Sequence, residues 1–438
     1  MSSRIFARDD QGRDRLARED VTVMPARRAV LRAFAATGIA IPPVWLTEPK
    51  PVAAAEPSPA LCSGVAKAEY LARGFRDPVL ELIRLLHTAA DIEHASLLQY
   101  MFAAFSLKNG YESIGDYDAS GMTTNLLGMA IDNMVRFGTV NRLLAVLGAP
   151  SRLAPPRFPF NSGVYPFAFN LEPLTPMALA QYIYREAPNR FFDFKGVSSS
   201  ETDFIAAVCK MLNVPATRAA SLYAAIAAMA GEVTRAGGTD VPDLSRWIVA
   251  MHQLEERGAE DRFAFLKNVF LGSHPAFAGR NDVWRLPMTD QRYPSYGITS
   301  NPASCPGRPA REASPATLAL IRLGNLQYGT TLLLLDLYFR HHLPVYRSLA
   351  VAHMTGPVRV IGKYLPPLGT GMPFEAIDVP DSSALDAKHR QRFILALLQE
   401  GQTLAESIGP RLPPGYPLAL NRETMAALQE ISKQREPR

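Results

Sequence analysis

Residues 86–105 read LHTAADIEHASLLQYMFAAF, and this stretch decides the fold. Its apolar residues recur at offsets of three and four, which is the stripe of an amphipathic helix: Leu86, Ala89, Ala90, Leu97, Tyr100, Met101 and Ala104. Glu93 falls on the same stripe, so its carboxylate is expected to face the core. Because burying a lone carboxylate is costly, Glu93 should be paired, protonated or bound to a metal ion.

The composition is that of a folded globular protein. Of the 438 residues, 47% are hydrophobic and 20% are charged, and the formal net charge is +5. Much of the basicity is arginine near the N-terminus, in a segment that we expect to be removed. The mature chain is therefore predicted to be near neutral, with no nucleic-acid partner and no membrane-spanning segment.

The N-terminus has the parts of an export signal in order. Arg27 and Arg28 precede a modestly apolar stretch at 33–46, and small residues follow at 53–55. This order is typical of a secretory signal, and the paired arginines resemble a twin-arginine signal. We predict a signal at 1–55, a linker at 56–77, a periplasmic location and the twin-arginine machinery as a partner. The alternative is a disordered basic tail beside a short helix.

The rest of the chain is predicted to be all-α. Four long helices are expected at 78–107, 123–147, 216–236 and 243–270, with a Pro-rich crossover connection after the second. This order suggests a ferritin-like four-helix bundle over 78–270. An irregular loop segment at 271–313 follows, and a second helical region at 314–438 is expected to pack on the bundle, with helices at 314–341, 345–362, 382–408 and 422–434.

Ferritin-like bundles can hold two metal ions, using one Glu from each of two helices and Glu-x-x-His from the other two. No helix of this chain carries Glu-x-x-His. The core-facing slot on the second helix is Asn133, with Arg136 three residues later, and a guanidinium has no lone pair to give a metal. The fourth predicted helix offers His252 and Glu255, three residues apart, and Glu256.

Four longer stretches carry a resemblance to a known family: EHASLLQYMFAAFSL, LLGMAIDNMVRFGTVNRLLAVLGAP, PRFPFNSGVYPF and LYFRHHLPVYRSLAVAHMTGPVRVIGKYLPPLGTGMPFE. In this order they resemble the ferritin-like domain of the iminophenyl-pyruvate dimer synthase family, across most of residues 79–376. Founding members of that family couple two tryptophan-derived imines in violacein and rebeccamycin biosynthesis.

The resemblance implies which positions hold metal ligands in the family, and at most of these positions this chain has a residue of another type. Glu93 matches a ligand, and Glu256 matches a second one on the fourth helix. Asn133 and Arg136 stand where the family has Glu and His on the second helix, and Ser221 stands where it has Glu on the third.

Two hypotheses for Glu93 follow. In the first, Glu93 forms a buried ion pair with a bidentate Arg136 in place of a metal. In the second, Glu93, Glu256 and His252 hold one metal ion.

The favoured function is an exported family member with an eroded di-metal site that binds a small molecule or a partner, with no cofactor predicted. The alternative is an oxidoreductase, assisted by iron or haem, that couples small aromatic imine or keto-acid substrates oxidatively.

Overall fold

The computed structural model describes residues 73–116, 125–193, 198–215, 221–237, 243–256, 258–304, 313–377 and 387–435. The predicted export signal at 1–55 lies outside these residues, as does the predicted linker as far as residue 72. Within the described ranges the protein is all-α. No strand forms there, and two isolated bridges join Leu107 to Ser295 and Phe160 to Phe169.

The N-terminal part has seven helices longer than one turn among the residues that the structure describes: α1 (Pro78–Phe105), α2 (Leu126–Val146), α3 (Pro176–Glu186), α4 (Ser199–Leu212), α5 (Leu222–Ala236), α6 (Ser245–Glu256) and α7 (Ala259–Phe270). Single-turn helices lie at Glu112–Gly115 and Arg190–Asp193. Helix α1 packs along α2 and α5, and α6 packs on α5. The apolar stripe of α1 is buried throughout, as its spacing predicts.

Polar side chains fix the starts of the bundle helices. Asp77 caps α1 by accepting from the N–H groups of Val79 and Leu80, and Asn125 caps α2. Ser221 caps α5, so the third bundle helix is described from Leu222 onward. The predicted start of that helix, at 216–220, lies outside the described residues. Such caps satisfy backbone donors that have no partner within the helix.

The fourth predicted helix is two helices. Gly258 has a φ of +66°, a left-handed conformation that glycine adopts without steric cost, and it separates α6 from α7. The two pieces then take different neighbours, because α6 packs on α5 while α7 packs on α3. The prediction of a single helix at 243–270 was wrong for this reason.

The described residues of the C-terminal part form five α-helices: α8 (Pro315–His341), α9 (Pro344–His353), α10 (Arg359–Tyr364), α11 (Ala387–Ile408) and α12 (Leu420–Arg435). The predicted helix at 345–362 contains a π-helical turn, Met354–Val358, which includes Pro357 and lies between α9 and α10. Such a turn accommodates a proline without ending the helix, because proline lacks the N–H that the regular pattern needs.

The two parts share a buried contact surface. Helix α8 contacts α2, and α10 contacts α1. His94 of α1 is hydrogen-bonded to the Tyr328 hydroxyl of α8, and both side chains are buried. Deeper in the C-terminal part, His353 is hydrogen-bonded at 2.7 Å to Gln327 and at 2.9 Å to Thr424.

Helix α8 is long and apolar enough to span a membrane by length and composition, whereas we predicted no membrane-spanning segment from the sequence. In the structure, 67% of its most apolar window is buried inside the protein. It packs there against α9 and α11 as a core helix.

Candidate functional site

A cavity of about 420 Å³ opens into the N-terminal part, between α1, α2, α3, α5, α6 and α7. The irregular arm at 163–166 and the segment at 187–189 form part of its rim. Its size falls within the range of small-molecule sites. Six charged residues line it: Glu93, Arg136, Arg185, Glu186, Glu255 and Arg262.

Glu93 lies in the wall of this cavity and is 5% exposed. The Tyr223 hydroxyl donates a hydrogen bond of 2.6 Å to Glu93 Oε1, and Nη1 of Arg136 lies 4.0 Å from the same oxygen. No described residue donates to Oε2. Burial raises the pKa of Glu93 against the lowering effects of Arg136 and Tyr223.

Helix α2 places Asn133 and Arg136 beside Glu93, one turn apart on the cavity side. Asn133 is 1% exposed, and no described residue donates to its Oδ1. The 4.0 Å separation between Arg136 and Glu93 is an ion-pair distance, but it is too long for the bidentate hydrogen bonding of the first hypothesis.

The third substituted position, Ser221, also lines the cavity, but its hydroxyl oxygen is engaged. It accepts a hydrogen bond of 3.3 Å from the N–H of Ala224 as the cap of α5. The structure therefore brings Glu93, Asn133, Arg136 and Ser221 to one cavity. His252 is exposed on α6 and does not line it, and the side chain of Glu256 lies outside the described set.

A second cluster of buried charges, which the sequence pattern did not predict, adjoins the first. Glu186 accepts 2.8 Å from Arg262 Nε and 2.6 Å from the Tyr100 hydroxyl. Arg262 also lies 3.6 Å from Asp132, and Arg185 Nη1 donates 2.6 Å to Gln99. Arg185 and Glu186 are the last two residues of α3, the short helix in the crossover connection.

The electrostatics of the two buried carboxylates differ. Burial alone would raise the pKa of Glu186, but the guanidinium groups of Arg262, Arg136 and Arg185 hold it well below the usual range. Glu186 is therefore ionised. The nearest guanidinium to Glu93 is that of Arg136, at 4.0 Å, and burial raises the pKa of Glu93 in spite of it. The guanidinium of Arg185 also lies over the rings of Tyr100, Phe169 and Tyr182, at 4.8–5.4 Å from their centroids.

The side chains around Glu93 do not fit a di-metal centre. Across the described ranges, no three His, Cys, Asp or Glu side chains come together as a ligand set. The nearest charged neighbour of Glu93 is a guanidinium, which repels a cation and offers no lone pair. The neutral amide of Asn133 is a weak substitute for a carboxylate or an imidazole.

Comparison with known proteins identifies the N-terminal part. No curated protein and no solved structure matches the chain. A family model described as ferritin-like matches residues 86–262, from the third turn of α1 to Arg262 in α7. All the residues that line the cavity fall within that match. The cavity thus belongs to a ferritin-like domain.

Proposed function

We propose that this protein is an exported relative of the iminophenyl-pyruvate dimer synthases, in which an ion network has replaced the metal centre and the cavity binds a small molecule. One observation carries the proposal. Arg136 lies 4.0 Å from Glu93, in a cavity of about 420 Å³, where a metal centre would need ligands. A cation fixed by the protein then takes the place of a bound metal ion.

The size and lining of the cavity support small-molecule binding. Its walls combine buried charged groups with apolar and aromatic surface, such as Ile92, Leu222, Leu254 and Tyr184. Ligand sites usually have this mixture, in which a few polar groups fix orientation and apolar walls provide contact area.

Metal analysis of the purified mature protein tests the replaced centre. We expect a folded protein without stoichiometric iron, manganese or haem, by elemental mass spectrometry and absorption spectroscopy. Stoichiometric metal or haem that is lost in Glu93→Ala would refute the proposal and support the oxidoreductase function, with oxidative coupling of small aromatic substrates. Glu232→Ala, at an exposed ion pair with Arg73, is the matched control.

Cell fractionation tests the export. The wild-type chain should be found in the periplasm, and replacing both Arg27 and Arg28 with lysine should retain it in the cytoplasm, because the export machinery recognises the arginine pair. Replacing Arg13 and Arg15 with lysine is the control, and those replacements should leave export unchanged. Equal distribution of all three chains would contradict this part of the proposal.

A further inference from the structure

A second cavity, of about 430 Å³, lies between the N-terminal part and the C-terminal helices. Its wall is formed by His87 of α1, the segment at 150–155, helix α8, the segment at 375–377 and Leu397 of α11. It shares no lining residue with the cavity around Glu93. Its volume is within the range of small-molecule sites, so the molecule has two separate candidate sites.

Two carboxylates near this second cavity are already paired with arginine. Asp336 is 4% exposed, and its carboxylate accepts 2.9 Å from the Ser151 hydroxyl and 2.8 Å from Arg340 Nε. Both carboxylate oxygens of Asp91 accept from Arg152, at 2.9 and 3.1 Å. A charged ligand would therefore compete with ion pairs that the protein makes itself.

Glu375, the other carboxylate of the lining, is held by neutral donors. It accepts from the N–H and the hydroxyl of Ser304, and from the Asn325 amide at 3.2 Å. An ammonium group beside Glu375 would share the cavity with the guanidinium groups of Arg152 and Arg340. An anion would share it with two carboxylates, so a ligand charge of either sign lies near like charges.

The imidazole of His87 is the polar group of this lining that the protein leaves unsatisfied. Its Nε2 is buried, and no described residue is hydrogen-bonded to it. Burial and the nearby Arg152 lower the pKa of His87, against the raising effect of Asp91, so the ring is neutral at pH 7. Buried polar groups in native proteins are normally satisfied, so this nitrogen needs a partner.

The chemistry of that partner follows from the nitrogen and from the wall around it. A neutral ring nitrogen is a donor or an acceptor according to the tautomer, and a hydroxyl group can satisfy it in both cases. Much of the remaining wall is aliphatic and includes Leu153, Leu332, Leu333 and Ile377. Such a surface favours an apolar body and gives it contact area.

From this geometry we infer that the second cavity binds a neutral, mostly apolar alcohol or phenol, whose hydroxyl group is hydrogen-bonded to His87 Nε2. The apolar body lies against α8 and α11. The inference goes beyond the function proposed above, because it concerns a different cavity and a different class of ligand.

Isothermal titration calorimetry of the full chain at pH 7 tests this inference with four probes of similar shape: 4-bromophenol, bromobenzene, 4-bromobenzoate and 4-bromobenzylammonium. We expect 4-bromophenol to bind at least ten times more tightly than each of the others. His87→Leu removes Nε2 and keeps an apolar side chain, so it should weaken 4-bromophenol binding at least tenfold and leave bromobenzene binding unchanged. His252→Leu is the matched control, because His252 is exposed on α6 and lines neither cavity.

A crystal structure of the wild-type chain with 4-bromophenol keeps the test decisive if His87→Leu does not fold, as judged by circular dichroism. The anomalous signal of bromine locates the probe without any substitution. We expect a bromine peak inside the wall formed by Leu332, Leu333 and Leu397, with the phenol oxygen within about 3.2 Å of His87 Nε2. A peak only in the cavity around Glu93, or no peak, would overturn the inference.

The calorimetric outcomes also separate this inference from the proposed function. If bromobenzene or a charged probe binds as tightly as 4-bromophenol, or if His87→Leu leaves 4-bromophenol binding unchanged, the inference is overturned. Failure of all four probes to bind would overturn it too, with a water molecule as the partner of Nε2. The replaced metal centre around Glu93 is tested by metal analysis and does not depend on these results.

Discussion

Replacement of Arg262 by methionine should destabilise the ferritin-like domain strongly. The Arg262 side chain is 5% exposed, and its Nε lies 2.8 Å from Glu186 Oε2. Methionine keeps much of the apolar length but removes the charge and all the donors. Glu186 would then remain buried and ionised with one principal partner fewer.

The expected loss in the free energy of unfolding depends on the partners that Glu186 keeps in the variant. Removing one member of a buried ion pair typically costs about 3–5 kcal/mol, because the remaining charge is left uncompensated. Glu186 would keep the hydrogen bond from Tyr100, at 2.6 Å, and Arg185 at 3.8 Å. We therefore expect a loss of about 3 kcal/mol in the free energy of unfolding, at the lower end of that range.

Urea unfolding followed by circular dichroism measures this loss. Adding Glu186→Gln to Arg262→Met should recover at least half of it, because the double variant no longer buries an unpaired charge. Arg322→Met, at an exposed ion pair, should change the stability by less than about 1 kcal/mol. A loss below about 1 kcal/mol for Arg262→Met, or no recovery in the double variant, would refute this account of the cluster.

Three further predictions concern parts of the fold around the site. Burial lowers the pKa of both His94 and His353 to about 3. Below about pH 6.5 these two histidines therefore take up protons in the unfolded chain but not in the folded chain. The free energy of unfolding should fall by about 2 kcal/mol per histidine between pH 7 and pH 5. A urea midpoint that stays constant over this range would contradict the prediction that both buried histidines are neutral. Ser221→Ala should cost about 1 kcal/mol and Ser221→Thr much less, since the hydroxyl caps α5; equal thermal midpoints for the two variants would exclude a capping role. Gly362→Ala should cost about 1–3 kcal/mol, because the added Cβ would lie 2.4 Å from the ring of Phe105; an unchanged thermal midpoint would show that the ring can move aside.

The predictable features of this protein are those that a single helix encodes. The apolar periodicity around Glu93 was enough to predict a buried helix with a carboxylate on its inner face, and α1 confirms it. The all-α class was confirmed for the same reason. Helix ends were predicted to within a few residues wherever a capping side chain or a glycine marks them, as at Asp77 and Gly237.

The features that the sequence did not predict depend on contacts between distant segments. Glu186 and Arg262 are separated by 76 positions, and neither lies on a pattern that distinguishes a buried charge from an exposed one. Arg185 and Glu186 are adjacent, oppositely charged residues at the end of a short amphipathic helix, which is ordinary for an exposed segment. Gly258 was the one signal in the sequence for this cluster. A helix break predicted at Gly258 would have given the helix that carries Arg262 a packing partner different from that of the preceding helix.

The contact between His94 and Tyr328 bears on where this chain can be divided. Helix α1 presents Glu93 to the cavity and His94 to the C-terminal helices, so two cores share one helix. A recombinant fragment that ended near residue 304 would leave His94 without its phenol partner and expose apolar surface of α1 and α2 to water. Expression boundaries drawn around the ferritin-like match alone would therefore yield an aggregation-prone product, and a usable clone needs the chain through α12.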